Sequence, residues 1–205
     1  MARPTLTQEQ VQTRRNEILD VAEDLFEHQG LEAVSFRRIA ARHGCSPAAT
    51  YRYFATKGHV LLGLRIRAAD ALRDILAEAA AAEAEPVAQL RAIAEAYLTF
   101  ALEQPSKYSL LFVMERGVED DPEFARAKSD ALGVCRDALA NAEARGDLSL
   151  QTDPLTAAHL FWAAAHGAVS LHQGGQFVVG RSLDDIMPTL VTTLMSGLTR
   201  PGASP

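Results

Sequence analysis

Apolar residues recur along this chain with a period near 3.6 and almost nowhere with period two, which predicts helices throughout and no sheet. Thr7-Gln8-Glu9-Gln10 has the letters of a capping box, so a first helix starts there, with Ile18, Ala22, Leu25 and Phe26 on one face. Gly30 is the left-handed residue expected just past its end. Ser35 caps a second helix whose Phe36, Ile39 and Ala40 face inward, and Gly44 closes it. Ser46 followed by Pro47 restarts the chain at once, since serine accepts a free amide and proline fits the first helical position. This third helix runs from Pro47 to about Tyr53.

Thr56 caps a fourth, longer helix through Leu61, Leu64, Ala68, Leu72 and Ile75 to about Glu83. Pro86, Pro105, Pro122 and Pro154 each stand at the start of an apolar-periodic run, where proline is tolerated, and mark helices over roughly 86–103, 105–116, 121–145 and 153–173. A last helix covers about 184–198, with Pro188 in its first turn if Asp185 is the cap and a kink there if the helix starts earlier. The expected fold is all-α with about nine helices: a three-helix head joined by the long fourth helix to a helical C-terminal domain.

Charge divides these helices into two groups. The chain carries net −6, yet from Ala33 to Ala69 there is no Asp or Glu against seven basic residues. Residues 1–70 hold ten basic and eight acidic side chains, and the remainder ten and eighteen, so a polyanion meets the first part and is repelled by the second. Two domains with different partners follow. The longest apolar stretches are broken well before about 18 residues, and the first residues lack the apolar block of a secretory signal, so no membrane partner is expected and the chain reads as cytoplasmic. Cys45 and Cys135 fit neither a disulfide framework nor a metal pair and read as buried thiols.

Two short helices joined by a tight turn inside a basic window have the order of a helix-turn-helix, whose second helix enters the DNA major groove. Residues 35–54 form that motif, with Ala40, Cys45 and Ala49 supplying the small contact between helices. Ala48 and Ala49 let the second helix approach base edges, the methyls of Ala49 or Thr50 suit thymine, and Ser46, Arg52 and Tyr51 are its few polar readers. Ser35, Arg37, Arg38, Tyr51, Tyr53 and Lys57 suit phosphate oxygens. Arg65 and Arg67 belong to the connecting helix and only keep the field positive.

The stretch from Gln12 to Leu72 resembles the DNA-binding head of the TetR/AcrR family of transcriptional regulators, in the order Ile18-Leu19, Ala22, Leu25-Phe26, Gly30, Val34-Ser35, Ile39-Ala40, Gly44-Cys45-Ser46, Tyr51-Arg52-Tyr53-Phe54 and Lys57. The resemblance implies a DNA-binding domain over 12–72 followed by a ligand-binding and dimerisation domain over 73–200, phosphate contacts from Ser35, Tyr51, Tyr53 and Lys57, and a groove-facing surface from Pro47, Ala48, Ala49 and Arg52. Thr50 departs from the larger aliphatic usual before the tyrosine, and Cys45 from the commoner valine.

Beyond residue 85 no catalytic spacing appears. His159 and His166 share a helix face about 10 Å apart, too far for one metal ion, and no Ser or Cys has a His in a nucleophile pattern; Glu119-Asp120-Asp121 reads as a solvated loop. No enzyme, metal or cofactor is expected. The segment Phe161–Val169 resembles a Trp-His-Gly signature of one C-terminal class in the same family, through Trp162, His166 and Gly167. It implies a dimer through the last two helices, with Val169, Leu190, Leu194 and Leu198 as interface candidates; an intramolecular core is the alternative for the same positions. Tyr97, Phe100, Tyr108, Phe112, Met114, Trp162 and His166 supply surface for a cavity holding a mostly apolar, uncharged or cationic small molecule, or else a filled core.

The resulting expectation is a homodimeric repressor that a small apolar ligand releases from a palindromic operator. The competing reading is a helical small-molecule-binding or scaffold protein that binds no operator. Activation stays open, because its sign depends on where the operator lies.

Overall fold

The computed structural model describes residues 6–112 and 121–198. Among them are the helices α1 (Gln8–Gln29), α2 (Phe36–His43), α3 (Pro47–Tyr51), α4 (Lys57–Ala81), α5 (Pro86–Glu103), α6 (Pro105–Phe112), α7 (Pro122–Arg145), α8 (Pro154–Gln173) and α9 (Leu183–Leu198), with a 3-10 turn at Leu31–Ala33 and no strand among the described residues. The part of the expected sixth helix beyond Phe112 lies outside the described residues.

Local capping accounts for most boundaries. The Thr7 hydroxyl accepts from the Gln10 amide at 3.2 Å while Gln10 Oε1 accepts from the Thr7 amide at 2.9 Å. Ser46, Thr56 and Asp153 each accept from the amide three residues on, and Pro47 and Pro154 occupy first helical positions. Asp121, expected in a solvated loop, instead caps α7 by accepting from the Glu123 and Phe124 amides at 3.0 Å.

Two boundaries differ from expectation. Helix α3 ends at Tyr51, because Tyr53 and Phe54 turn inward and Arg15 of α1 donates to the Tyr53 carbonyl at 2.7 Å, pulling the chain back onto the head. Helix α9 starts before Asp185: the Ser182 amide donates to the Asp185 carboxylate at 2.8 Å and the Asp185 amide donates to the Ser182 hydroxyl at 3.3 Å. Pro188 therefore lies inside the helix.

Buried side chains form one cluster running from Ile18 in the head to Leu198 at the end of α9. Helix α4 carries it, packing against α1 at one end and against α5, α6 and α7 along its length, and the expected 72/73 boundary falls within this helix. Large members such as Leu64, Ile39 and Phe54 are about fully buried, each contributing roughly 1.5–3 kcal/mol of apolar transfer. Gly63 lets α4 approach α1 closely: a Cβ there would stand 2.8 Å from Leu19 Cδ2.

Candidate nucleic-acid interface and adjoining cavity

The turn between α2 and α3 is made by Gly44, at φ +70°, with the Cys45 amide donating to the Ala40 carbonyl at 3.0 Å. Ala40 is buried beneath it, and Ala49 and Cys45 are half-buried, so Cys45 is not the enclosed thiol expected. Thr50 is fully buried with its hydroxyl 3.7 Å from Cys45 Sγ. That corrects its assignment to thymine contact: Thr50 fills the position where a larger aliphatic was expected, and Ala49 keeps the outer one.

Outward from this packing, Ser46, Pro47, Ala48, Tyr51 and Arg52 are exposed, and Pro47, Ala48, Tyr51 and Arg52 occupy one side of α3. The Tyr51 ring, 55% exposed, lies 4.1 Å from the buried Phe36 ring, which orients its hydroxyl without burying it. Ser35 caps α2, accepting from the Arg38 amide at 3.4 Å, and Tyr53 is half-buried. Lys57 Nζ donates to the Leu31 carbonyl at 2.9 Å, which fixes its ammonium beside the start of α2 and leaves its charge in place.

The window that lacks acids in sequence does not lack them in space. Helix α1 supplies Asp24 to Arg42, and Asp20 and Glu23 to Arg67 at 2.7 and 3.6 Å. Arg38 bonds the neutral Gln29 side chain. Arg65 is buried, its guanidinium 4.4 Å above the Phe124 ring at the junction with α7, so it contributes packing and not surface field. Arg37 and Arg52 are exposed without an ion-pair partner among the described residues. Arg15 was missed by sequence reasoning; its guanidinium lies 4.3 Å over Phe54 and holds the end of the motif.

A cavity of about 530 Å³ lies between α4, α5, α6, α7, α8 and α9, within the usual range for small-molecule sites. Tyr97, Phe112 and Trp162 line it as expected. Phe100 and Tyr108 do not: each is 1% exposed and belongs to the packed core. His166 stands behind the wall, its Nδ1 hydrogen-bonded with the Tyr108 hydroxyl at 2.7 Å and with the Tyr97 hydroxyl 3.4 Å away. Burial holds His166 below its ordinary pKa and pushes both tyrosines up, so all three are neutral near pH 7. Met114 lies outside the described residues.

Most of the lining is aliphatic and lies at positions the sequence did not single out for a cavity, including Leu72, Leu90, Ile93 and Leu132, and beside them Cys135, whose thiol burial pushes up to about 12. Lys128 and Arg136 also reach the cavity, and no Asp or Glu is among its described lining residues.

Two of the four interface candidates are corrected. Val169 is fully buried and Leu198 is 9% exposed within the protomer, so neither presents a surface to a second chain. Leu190 and Leu194 are half-buried and line the cavity. The exposed stripe of α8 is Leu160, Ala163 and Leu171, with half-buried Ala164 and Gly167 between them. Among the described residues no group of three or more His, Cys, Asp or Glu is arranged to hold a metal, and no helix is long and apolar enough to cross a membrane.

Residues 18–64 match the family model for bacterial regulatory proteins of the tetR family, and residues 90–194 match the tetracyclin repressor-like C-terminal domain. The chain is 29% identical over 126 residues, 62% of its length, to the HTH-type transcriptional activator FasR of Mycolicibacterium smegmatis, a match spanning 57% of that relative. A protein of unknown function from Rhodococcus sp. RHA1 superposes with a TM-score of 0.79 at 25% identity, covering 91% of this chain and 95% of that one. The transcriptional regulator FadR from Bacillus subtilis, solved in complex with stearoyl-CoA, shares the fold at a TM-score of 0.70 and 16% identity, over 89% and 98% of the two chains. The chain belongs to the tetR family of bacterial regulatory proteins, a family of DNA-binding transcription regulators and not of enzymes.

Proposed function

We propose that this chain is a homodimeric repressor that binds a palindromic operator through α2 and α3 and is released by a small, largely apolar ligand held between α4 and α9. The observation that carries the proposal is one continuous core that runs from Phe36, on which Tyr51 of α3 packs, to the walls of the cavity. A ligand that fits only one arrangement of those helices shifts the separation of two heads, and its differential affinity sets how far. The phosphate contacts are assigned to Ser35, Arg37, Arg38, Tyr51, Tyr53 and Lys57, and the groove surface to Ser46, Pro47, Ala48, Ala49 and Arg52. The working division of labour is a head over 12–72 and a ligand-binding and dimerisation part over 73–200.

One α3 reads too few base pairs alone, so the operator-binding unit is the dimer. Its surface is assigned to the α8 stripe Leu160, Ala163, Ala164, Gly167 and Leu171, where small residues admit a partner helix and a Cβ at Gly167 would meet nothing. In the paired variant Leu160→Glu with Leu171→Glu, both exposed positions, light scattering should give half the wild-type mass while circular dichroism keeps the helical content of the fold. Anisotropy on the protein's own upstream DNA should then show at least about a hundredfold weaker binding. A folded variant that stays dimeric would refute this interface, and a wild type that ignores all upstream DNA would favour the scaffold reading. Activation is the second reading, favoured by the likeness to an activator; transcription from the bound promoter, with and without the protein, separates the two.

A further inference from the structure

The charges around the cavity carry more than its apolar surface does. Residues 71–205 hold ten basic and eighteen acidic side chains, a strongly negative background. Yet the described lining includes two of those cations, Lys128 and Arg136, and none of those acids. Glu123, Asp130 and Asp137 share α7 with them and are absent from the lining. Among the described residues this sorting leaves only cationic side chains as charged groups on the lining of an otherwise apolar cavity.

Both cations are exposed, and they stand eight residues apart on α7, about 12 Å along the axis, with Ser129, Leu132 and Cys135 between them on the lining. The Lys128 ammonium rests 4.5 Å from the Phe124 ring and has no carboxylate partner among the described residues. Arg136 folds back along the helix over Gly133, where a Cβ would stand 3.3 Å from its Nη2, while also pairing with its exposed neighbour Asp137 at 2.7 Å. Across the opening stand the exposed α8 residues Leu155, His159 and Trp162, which supply no negative charge.

Resting on the reading of this cavity as the effector site, we infer that the effector is an amphipathic anion: its apolar body fills the cavity, and its acidic head sits at the α7 lip against Lys128 and Arg136. An exposed ion pair alone adds little. Here burial of the tail already holds the head beside the cations, so the ordering cost of the pair is reduced and head-group charge becomes a specificity determinant.

The test uses three probes with one tail: dodecanoate and dodecyltrimethylammonium below their micelle concentrations, and dodecanol below its solubility limit. Trp162, the sole tryptophan, lines the cavity and reports binding by fluorescence, with calorimetry as a second readout. Dodecanoate should bind at least about tenfold tighter than dodecyltrimethylammonium, an advantage that shrinks with added salt. In Lys128→Gln with Arg136→Gln the advantage should fall below about threefold while dodecanol affinity holds. Equal affinities for the three heads, a preference for the cation, or an advantage that survives the double variant would overturn the inference and leave the cavity reading intact. If none of the three binds, the cavity reading fails as well. The wild-type series decides the head-group preference by itself, whatever the stability of the double variant.

Discussion

Tyr51 concentrates two roles that one substitution separates. Its ring packs on Phe36 and its hydroxyl stands in solvent on the α3 face. Tyr51→Phe keeps the ring contact, so DNA affinity should drop several-fold with melting unchanged. Tyr51→Ala should add a stability loss of about 0.5–1.5 kcal/mol, the usual worth of such a ring pair. A Phe variant that binds DNA like wild type would remove the hydroxyl from the interface. His166 makes a prediction in pH. Its native pKa lies below the ordinary 6.5 because burial disfavours the cation. The unfolded chain therefore binds the proton more readily. The stability from neutral His166 is complete above pH 6.5 and is lost as pH falls from there through the lower native value. Urea midpoints between pH 8 and pH 5 should fall more steeply for wild type than for His166→Asn, and parallel curves would contradict this.

At the scale of elements, two helical glycines give opposite expectations. A Cβ at Gly63 meets the buried Leu19 side chain at 2.8 Å, whereas one at Gly133 meets only the far end of Arg136 at 3.3 Å. Gly133→Ala should therefore stabilise by about 0.5–1 kcal/mol through helix propensity. Gly63→Ala should lose that gain to overpacking of about 1–3 kcal/mol where α4 crosses α1. Chemical denaturation of the two variants checks the ordering, and the reverse ordering would show that α4 and α1 are not tightly apposed. Helix existence was legible throughout because caps and periodicity are local. The end of α3 was not, since it depends on Arg15 reaching Tyr53 across 38 residues. The start of α9 needed the Ser182 and Asp185 exchange, a capping box with aspartate in place of the longer acid.

For the whole molecule, the head was legible because its small, hydroxyl and aromatic residues fall in a fixed order within one short window. What the order did not reveal was the pairing in space: Asp20, Glu23 and Asp24 neutralise Arg67 and Arg42 from a helix that lies outside the window. The C-terminal part was legible as helices and poorly legible as a site, because a cavity wall and a packed core use the same apolar letters. Phe100 and Phe112 look alike in sequence and part only when α5 and α6 pack. The same limit misplaced Val169, which points inward while Leu160 and Leu171 of the same helix point out.

If the chain engages duplex DNA as a dimer through four cations per head that no carboxylate neutralises among the described residues, the affinity for the operator depends steeply on salt. Arg37, Arg38, Arg52 and Lys57 on two heads give about eight phosphate contacts, so log affinity against log salt should fall with a slope of about −7. A slope of about half that would indicate a single engaged head, and a flat dependence would contradict DNA binding by this surface.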